Sequence, residues 1–296
     1  MTAFKLGNVR RGGALAMASA LLFGASTPAA KAIIAGVNPI MLAGLLYLGS
    51  GCGIAIGRLF APKSDSTKLK PADLPWLAAT VLFGGALGPA LLMLGLTTTT
   101  GAAASLLLTL EGVFTAVLAW VVFKESFNRR IGIGMLAIFI GAVILALRGP
   151  GGQAAITGAL AVTAACLCWA IDNNCTSKIS HVEAPVLASI KGIAAGVANV
   201  GLALVVGAHF PTLPTVGSAF VIGLLGYGLS LILFVLALRE IGAARTGAYY
   251  STAPFIGAVV GLLFLREQFN IALIIAGALM AFGVWLHLTE PVAQET

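Results

Sequence analysis

Ten apolar segments, each about twenty residues long, follow one another along the chain with short polar links between them. An α-helix needs about 20 mostly apolar residues to cross a bilayer. The segments therefore predict ten membrane-spanning helices, at residues 12–35, 39–60, 72–95, 101–122, 130–148, 155–178, 183–207, 215–238, 245–264 and 270–289. Because 9% of the residues are charged, against about 25% in ordinary soluble domains, we expect an all-α integral membrane protein in contact with membrane lipid.

The basic residues are concentrated in alternate links. If the N-terminus is cytoplasmic, thirteen Lys and Arg residues lie at cytoplasmic ends of the segments and three, Lys31, Arg148 and Arg266, lie at outer ends. Cytoplasmic loops are generally enriched in Lys and Arg. We therefore expect both termini in the cytoplasm and the protein in the cytoplasmic (inner) membrane. This distribution explains the net charge of +7 without nucleic-acid binding.

The first apolar segment follows Lys5, Arg10 and Arg11, and a secretory signal peptide has the same order of basic and apolar residues. We interpret it as the first membrane helix, because nine more segments follow and it has a counterpart after the midpoint of the chain.

The chain repeats part of itself at a distance of 142 residues. The string FKESFN at 123–128 matches LREQFN at 265–270, and no gap is needed from residue 83 to 145. The match predicts two five-helix repeats, residues 1–150 and 151–296. Five is odd, so the second repeat enters the membrane in the opposite orientation. Inverted repeats are typical of secondary transporters, although a duplicated scaffold without transport is an alternative.

Six strings carry a resemblance to a known family: ALLFGASTPAAK at 20–31, LAGLLYLGSG at 42–51, LPWLAATVLFGGALGPALLMLGL at 74–96, SLLLTLEGVFTAVLAWVVFKE at 105–125, CLCWAIDNN at 166–174 and GAARTGAYYSTAPFIGA at 242–258. Through them nearly the whole chain resembles the EamA-type, ten-helix branch of the drug/metabolite transporter superfamily. The resemblance implies cytoplasmic termini and export of small metabolites without ATP. Bacterial amino-acid exporters are the most similar group, but the superfamily also contains sugar-nucleotide and drug transporters.

Three charged residues stand out because they lie well inside predicted spans, where an uncompensated charge costs about 2.5–3.5 kcal/mol on insertion scales. Glu111 lies near the middle of the fourth span, and it can bind a substrate ammonium, carry a proton or make a structural hydrogen bond. Asp172 and Lys191 lie at similar depth in the consecutive sixth and seventh spans. We expect them to form an ion pair, acting either as a static clamp or as a gate.

Further candidates are polar, aromatic or helix-breaking. Trp169 and Asn173 flank Asp172, and Tyr250, Ser251 and Thr252 begin the ninth span just before a proline. A proline removes one helical hydrogen bond and frees a carbonyl that can line a polar cavity. Packing kinks are the alternative for these prolines, which we predict as helix breaks or hinges: Pro28, Pro89 and Pro254.

Other classes of function have little support in the sequence. No phosphate-binding loop G-x-x-x-x-G-K-[ST] and no H-E-x-x-H helix occurs, so we expect no enzyme, metal or other cofactor. The expected function is export of small metabolites, amino acids in particular, by alternating access. The alternatives are export of drugs or other metabolites, a channel or a membrane-embedded enzyme. Protons are one candidate coupling ion, facilitated diffusion needs none, and the expected assembly is a monomer or weak dimer.

Overall fold

The computed structural model describes residues 3–60, 69–123, 129–148 and 153–289. Every regular element in these ranges is helical. The elements are α1 (Ala3–Ile33), α2 (Pro39–Leu59), a 3₁₀ turn (Pro71–Asp73), α3 (Leu74–Ala79), the π-helical segment π1 (Thr80–Leu87), α4 (Gly88–Thr98), α5 (Gly101–Leu107), α6 (Leu110–Phe123), α7 (Arg129–Arg148), α8 (Gln153–Lys178), α9 (Ala184–Val205), α10 (Leu213–Gly223), the π-helical segment π2 (Leu224–Leu229), α11 (Ser230–Tyr250), α12 (Ala253–Phe264) and α13 (Ile271–Leu288).

The ten predicted spans are confirmed. Ten helical stretches are long and apolar enough to cross a membrane, and their limits agree with the predicted ones within four residues. They run over Arg10–Ile33, Pro39–Leu59, Pro71–Thr98, Gly101–Val122, Arg129–Arg148, Ala154–Lys178, Ala184–Val205, Leu213–Gly242, Arg245–Phe264 and Ile271–Leu288, and are called spans 1 to 10 below. The protein is a multi-pass membrane protein.

Large apolar side chains cover much of the outer surface. Leu136, Phe139, Val197 and Leu263 are each more than half exposed, although nothing polar surrounds them on their helices. In water such a surface would be costly, whereas in a bilayer lipid tails cover it. Helical hydrogen bonds satisfy most backbone groups within each span, as a chain in hydrocarbon requires.

The helix contacts keep their pattern when the two halves of the chain are exchanged. Span 2 packs on span 7 through α2 and α9, span 4 on span 9 through α5 and α12, and span 5 on span 10 through α7 and α13. The contact of span 1 with span 8, through α1 and α11, corresponds to that of span 6 with span 3, through α8 and α4. This pattern is the one expected of two equivalent five-helix units.

Glycines allow the backbones of α2 and α9 to touch. A methyl group on Gly51 would lie 2.5 Å from the backbone nitrogen of Ile193, and one on Gly192 would lie 2.7 Å from Cα of Gly51. Small residues at such crossings are a common packing device in membranes, because they permit close van der Waals contact.

An even number of crossings puts both chain ends on one face of the membrane, called the terminal face here. The half of the molecule near the other face is filled by fully or almost fully buried side chains of spans 2, 3 and 4, including Leu42, Leu46, Leu92, Leu96 and Leu107. The half near the terminal face contains the cavities described next.

Candidate functional site

Spans 4 and 9 are both broken near their middle, at positions that correspond in the repeat. In span 4 the chain turns at residues 108–109 between α5 and α6, and in span 9 it turns at residues 251–252 between α11 and α12. Pro254 stands in the first turn of α12, so the predicted break is seen there. The break in span 4 was not predicted, because that segment contains no proline.

The break in span 4 puts Glu111 in the first turn of α6. Carboxylates are favoured at this end of a helix, since the helix dipole and the free N–H groups stabilise negative charge. The Nδ2 atom of Asn173 donates to Oε1 of Glu111 at 2.9 Å and contacts Oγ1 of Thr115 at 3.3 Å. Among the described residues, Glu111 has no ion-pair partner within 4.0 Å.

Spans 3 and 8 each contain a π-helical segment, and the two segments end at Leu87 and Leu229, 142 residues apart. A π-helical turn releases carbonyl groups from the regular ladder, and such turns are frequent at functional sites. The carbonyl of Gly84 accepts hydrogen bonds from the hydroxyl of Tyr47 at 2.8 Å and from Nε1 of Trp169 at 3.0 Å. Sequence reasoning placed a freed carbonyl near Pro89 but did not foresee the π-helical segment before it.

The predicted ion pair is present. Nζ of Lys191 lies 2.7 Å from Oδ2 of Asp172, and Oγ1 of Thr176 donates to the other oxygen of this carboxylate at 3.2 Å. Asp172 is 4% exposed. Gly84 makes room for this carboxylate, because a methyl group there would lie 2.0 Å from Oδ2 of Asp172.

These groups surround a central cavity of about 410 Å³ between the two halves of the chain. Six of the predicted site residues line it: Glu111, Trp169, Asp172, Asn173, Lys191 and Tyr250. Aromatic side chains complete the wall. Their rings make three contacts across the halves, Phe23 with Tyr227, Phe23 with Tyr250 and Tyr47 with Tyr227, and Phe234 contacts Tyr250 within the second half. Phe23 and Phe234 were not predicted, since an aromatic residue in an apolar segment gives no distinctive signal.

A second, smaller cavity of about 280 Å³ adjoins the first, and Phe23, Glu111 and Tyr250 line both. We call it the side chamber. It is lined by residues of spans 1, 4, 5, 9 and 10. Its further lining residues include Leu108, Gly112, Ile138, Gly247, Ser251, Pro254, Val284 and His287.

Two predicted residues contribute less than expected. The hydroxyl of Ser251 donates to the carbonyl of Ala248 at 2.8 Å, and that of Thr252 donates to the carbonyl of Tyr249 at 2.6 Å, so both donors are used within their own helix. Thr252 lines neither of the two cavities described. Helix α1 is continuous through Pro28, so the predicted interruption of span 1 is not seen.

Two charged side chains satisfy backbone groups at helix ends near the face opposite the termini, and one of them, Glu267, joins the two halves. The carboxylate of Glu267, in the repeated string LREQFN, accepts from the backbone N–H groups of Gly101 and Ala102 at 2.6 and 2.8 Å and so caps α5. Nζ of Lys31 donates to the carbonyl of Leu96 at 2.5 Å, in the last turn of α4. Of the other copy, residues 124–128 lie outside the described ranges.

No group of three His, Cys, Asp or Glu side chains able to hold a metal ion occurs in the part of the chain that the structure describes.

Comparison with known proteins identifies the family. The model of the EamA-like transporter family matches residues 10–147 and again residues 156–289. The chain belongs to this family. Each matched range covers five of the spans described above.

Relatives within the family are similar over almost their full length. An uncharacterized transporter of Methanothermobacter thermautotrophicus (strain Delta H) is 26% identical over 90% of this chain and 82% of its own length. The uncharacterized transporter YvbV of Bacillus subtilis (strain 168) is 23% identical over 93% of this chain and 90% of its own length. A crystal structure with 18% identity superposes over 96% of this chain and 98% of the other, with a TM-score of 0.69, which shows the shared fold. The protein is thus a transporter by family.

Proposed function

We propose that the protein is a secondary transporter that exports small metabolites, amino acids in particular, by alternating access. The observation that carries the proposal is the central cavity, which is lined by both halves and holds a carboxylate and an ion pair within the membrane. Charged groups inside membrane spans are costly, and they commonly mark the path of a substrate or ion.

The residues of the cavity suggest distinct roles. Glu111 offers one carboxylate oxygen that does not receive the hydrogen bond of Asn173, so it is suited to bind a substrate ammonium. Asp172 and Lys191 neutralise each other and act as a gate or clamp between spans 6 and 7. Trp169 and Tyr250 provide aromatic surface for the remainder of the substrate.

Alternating access requires two halves of equivalent shape around one site. The exchangeable contact pattern, the paired π-helical segments and the paired breaks in spans 4 and 9 support two inverted repeats, residues 1–150 and 151–296. The closed packing near the opposite face and the cavities near the terminal face support a conformation that admits substrate from the terminal face. We propose that this face, with both termini, lies on the cytoplasmic side of the inner membrane.

The coupling follows one of two routes. Glu111 and Asp172 are carboxylates at membrane depth, so either can exchange a proton for a bound substrate. Facilitated diffusion needs no such exchange. An imposed pH gradient across liposomes separates the two routes, since proton coupling makes the flux depend on the gradient.

Purified protein in liposomes tests the proposal. The liposomes are loaded with a mixture of unlabelled amino acids, and uptake of single labelled amino acids is followed against protein-free liposomes. Saturable uptake that depends on internal substrate is expected of a carrier. A flux that does not saturate and ignores internal substrate would indicate a channel. Absence of uptake for every amino acid would reject this substrate class and direct the same assay to drugs and other metabolites.

A further inference from the structure

The side chamber differs in chemistry from the central cavity. Apolar groups make up most of its wall, among them Leu108, Ile138, Pro254 and Val284. Two of its hydroxyl groups already donate to backbone carbonyls, that of Thr109 to Leu106 and that of Ser251 to Ala248, each at 2.8 Å. A polar ligand would find few hydrogen-bond partners there, whereas an apolar group needs none.

The chamber is large enough for a substantial apolar group. Its volume of about 280 Å³ is nearly twice that of the ~150 Å³ apolar cavity that accepts benzene in an engineered protein. Two glycines on its wall, Gly112 and Gly247, face space, since a methyl group added to either would meet no other heavy atom within 4 Å.

Glu111 stands where the two cavities meet, and its charge is not balanced. In the lining of both cavities the acidic groups are Glu111 and Asp172, and Lys191 already pairs with Asp172 at 2.7 Å. Of these three charged groups, Glu111 has no partner of opposite charge within 4.0 Å among the described residues. A ligand with one positive charge compensates it, whereas a zwitterion would bring a second carboxylate into a site whose lysine is already engaged.

From these observations we propose that the side chamber is a subsite for the apolar group of a monocationic amine whose ammonium binds Glu111. The inference rests on the proposed transport function and replaces amino acids with monocationic amines as its preferred substrate class. It predicts that an amine binds more tightly than the amino acid with the same side group.

Binding of n-alkylamines from propylamine to hexylamine to the purified full-length protein in nanodiscs tests the subsite, with protein-free nanodiscs as the background. Each further buried methylene should tighten binding by about fourfold until the chamber is filled. The substitution Gly112→Leu, which projects into the chamber, should remove this dependence on chain length. Gly247→Leu fills the chamber from span 9 and gives the same test if Gly112→Leu does not fold.

The substitution Gly57→Leu is the matched control, because Gly57 also faces empty space but lines neither cavity described. It should keep the wild-type dependence on chain length. The same dependence in the chamber-filling variants and in the control would overturn the subsite, and so would affinities that do not rise with chain length in the wild type.

The head group is tested with phenethylamine and phenylalanine, which differ by one carboxylate. Phenethylamine should bind at least tenfold more tightly, and Glu111→Gln should weaken every amine by the same factor. Equal or tighter binding of phenylalanine would overturn the monocation assignment. Failure of the subsite is distinguishable from failure of the proposed function. If amino acids exchange in liposomes but the affinity for alkylamines does not depend on chain length, the subsite alone is rejected. If that affinity depends on chain length but no flux is found, transport alone is rejected.

Discussion

Removal of the Glu267 carboxylate should destabilise the protein by about 1–2 kcal/mol. Its two oxygens accept from the N–H groups of Gly101 and Ala102 at 2.6 and 2.8 Å, at the first turn of α5. A capping side chain is worth about 0.5–2 kcal/mol, and charge at a helix N-terminus adds about 0.3–1 kcal/mol. Glu267 is only partly buried, so the lower part of the summed range applies.

Thermal unfolding in detergent, followed by intrinsic fluorescence, measures the effect in Glu267→Ala. Soluble domains of 150–250 residues lose roughly 2–4 °C per kcal/mol, so a decrease of roughly 2–8 °C is expected. Glu267→Gln keeps the shape but has one acceptor oxygen and no charge, and it should lose most of the same stability. Gln268→Ala, at the exposed neighbouring position, is the control. If Glu267→Ala melts at the temperature of that control, the cap contributes nothing to stability and the reasoning is refuted.

Three further predictions concern packing, charge and backbone strain. Gly84→Ala should cost about 1–3 kcal/mol in unfolding assays, since its methyl group would overlap the Asp172 carboxylate, whereas Gly57→Ala meets no atom within 4 Å and should be neutral. Asp172→Asn and Lys191→Met should each lower the free energy of unfolding by about 3–5 kcal/mol, because the partner is left as an unpaired buried charge. The charge-swapped double variant should recover part of this stability, and no recovery would count against the pair. Arg266 has a φ of 51° and an exposed side chain, so Arg266→Gly should raise the free energy of unfolding by up to ~1 kcal/mol. A loss of stability in this variant would show that the Arg266 side chain makes a needed contact.

The spans could be predicted from the sequence because membrane depth imposes a length and a polarity on every crossing. The ion pair of Asp172 and Lys191 could also be predicted, since two isolated charges at equal depth on consecutive helices have few other partners. Both inferences need only distance along the chain and the cost of a buried charge.

The breaks and π-helical segments could not be predicted in the same way. The turn at residues 108–109 contains no proline or glycine, and the sequence of π1 is as apolar as its neighbours. Their conformations are set by tertiary partners: the hydroxyl of Tyr47 and the indole of Trp169 satisfy the Gly84 carbonyl that π1 leaves free. Such partners come from other spans, so a local pattern does not reveal them.

The repeated string has a physical explanation in its second copy. In LREQFN, Glu267 caps α5 of the other half, and Asn270 caps its own helix α13 by accepting from the backbone N–H of Ala272 at 3.0 Å. Nδ2 of Asn270 also donates to the carbonyl of Arg148 at 3.1 Å, in the last turn of α7. The repeated residues thus satisfy free backbone groups at the ends of three helices, which explains why polar residues recur in register between apolar segments.

The backbone features of the site recur in both halves, whereas its chemistry does not. Gly84 and Gly226 occupy corresponding places in π1 and π2, yet a methyl group on Gly84 would strike the carboxylate of Asp172, and one on Gly226 would strike the side chain of Ser26. Similarly, Glu111 lies in the first turn of α6, and its counterpart Ala253 is the first residue of α12. In the proposed alternating access, equivalent backbones would let the two halves exchange shapes around the cavity. Each charged residue of the cavity has an uncharged residue at the corresponding position of the other half, so the cavity offers a single oriented site. A carrier needs such an orientation, and a symmetric pore would lack it.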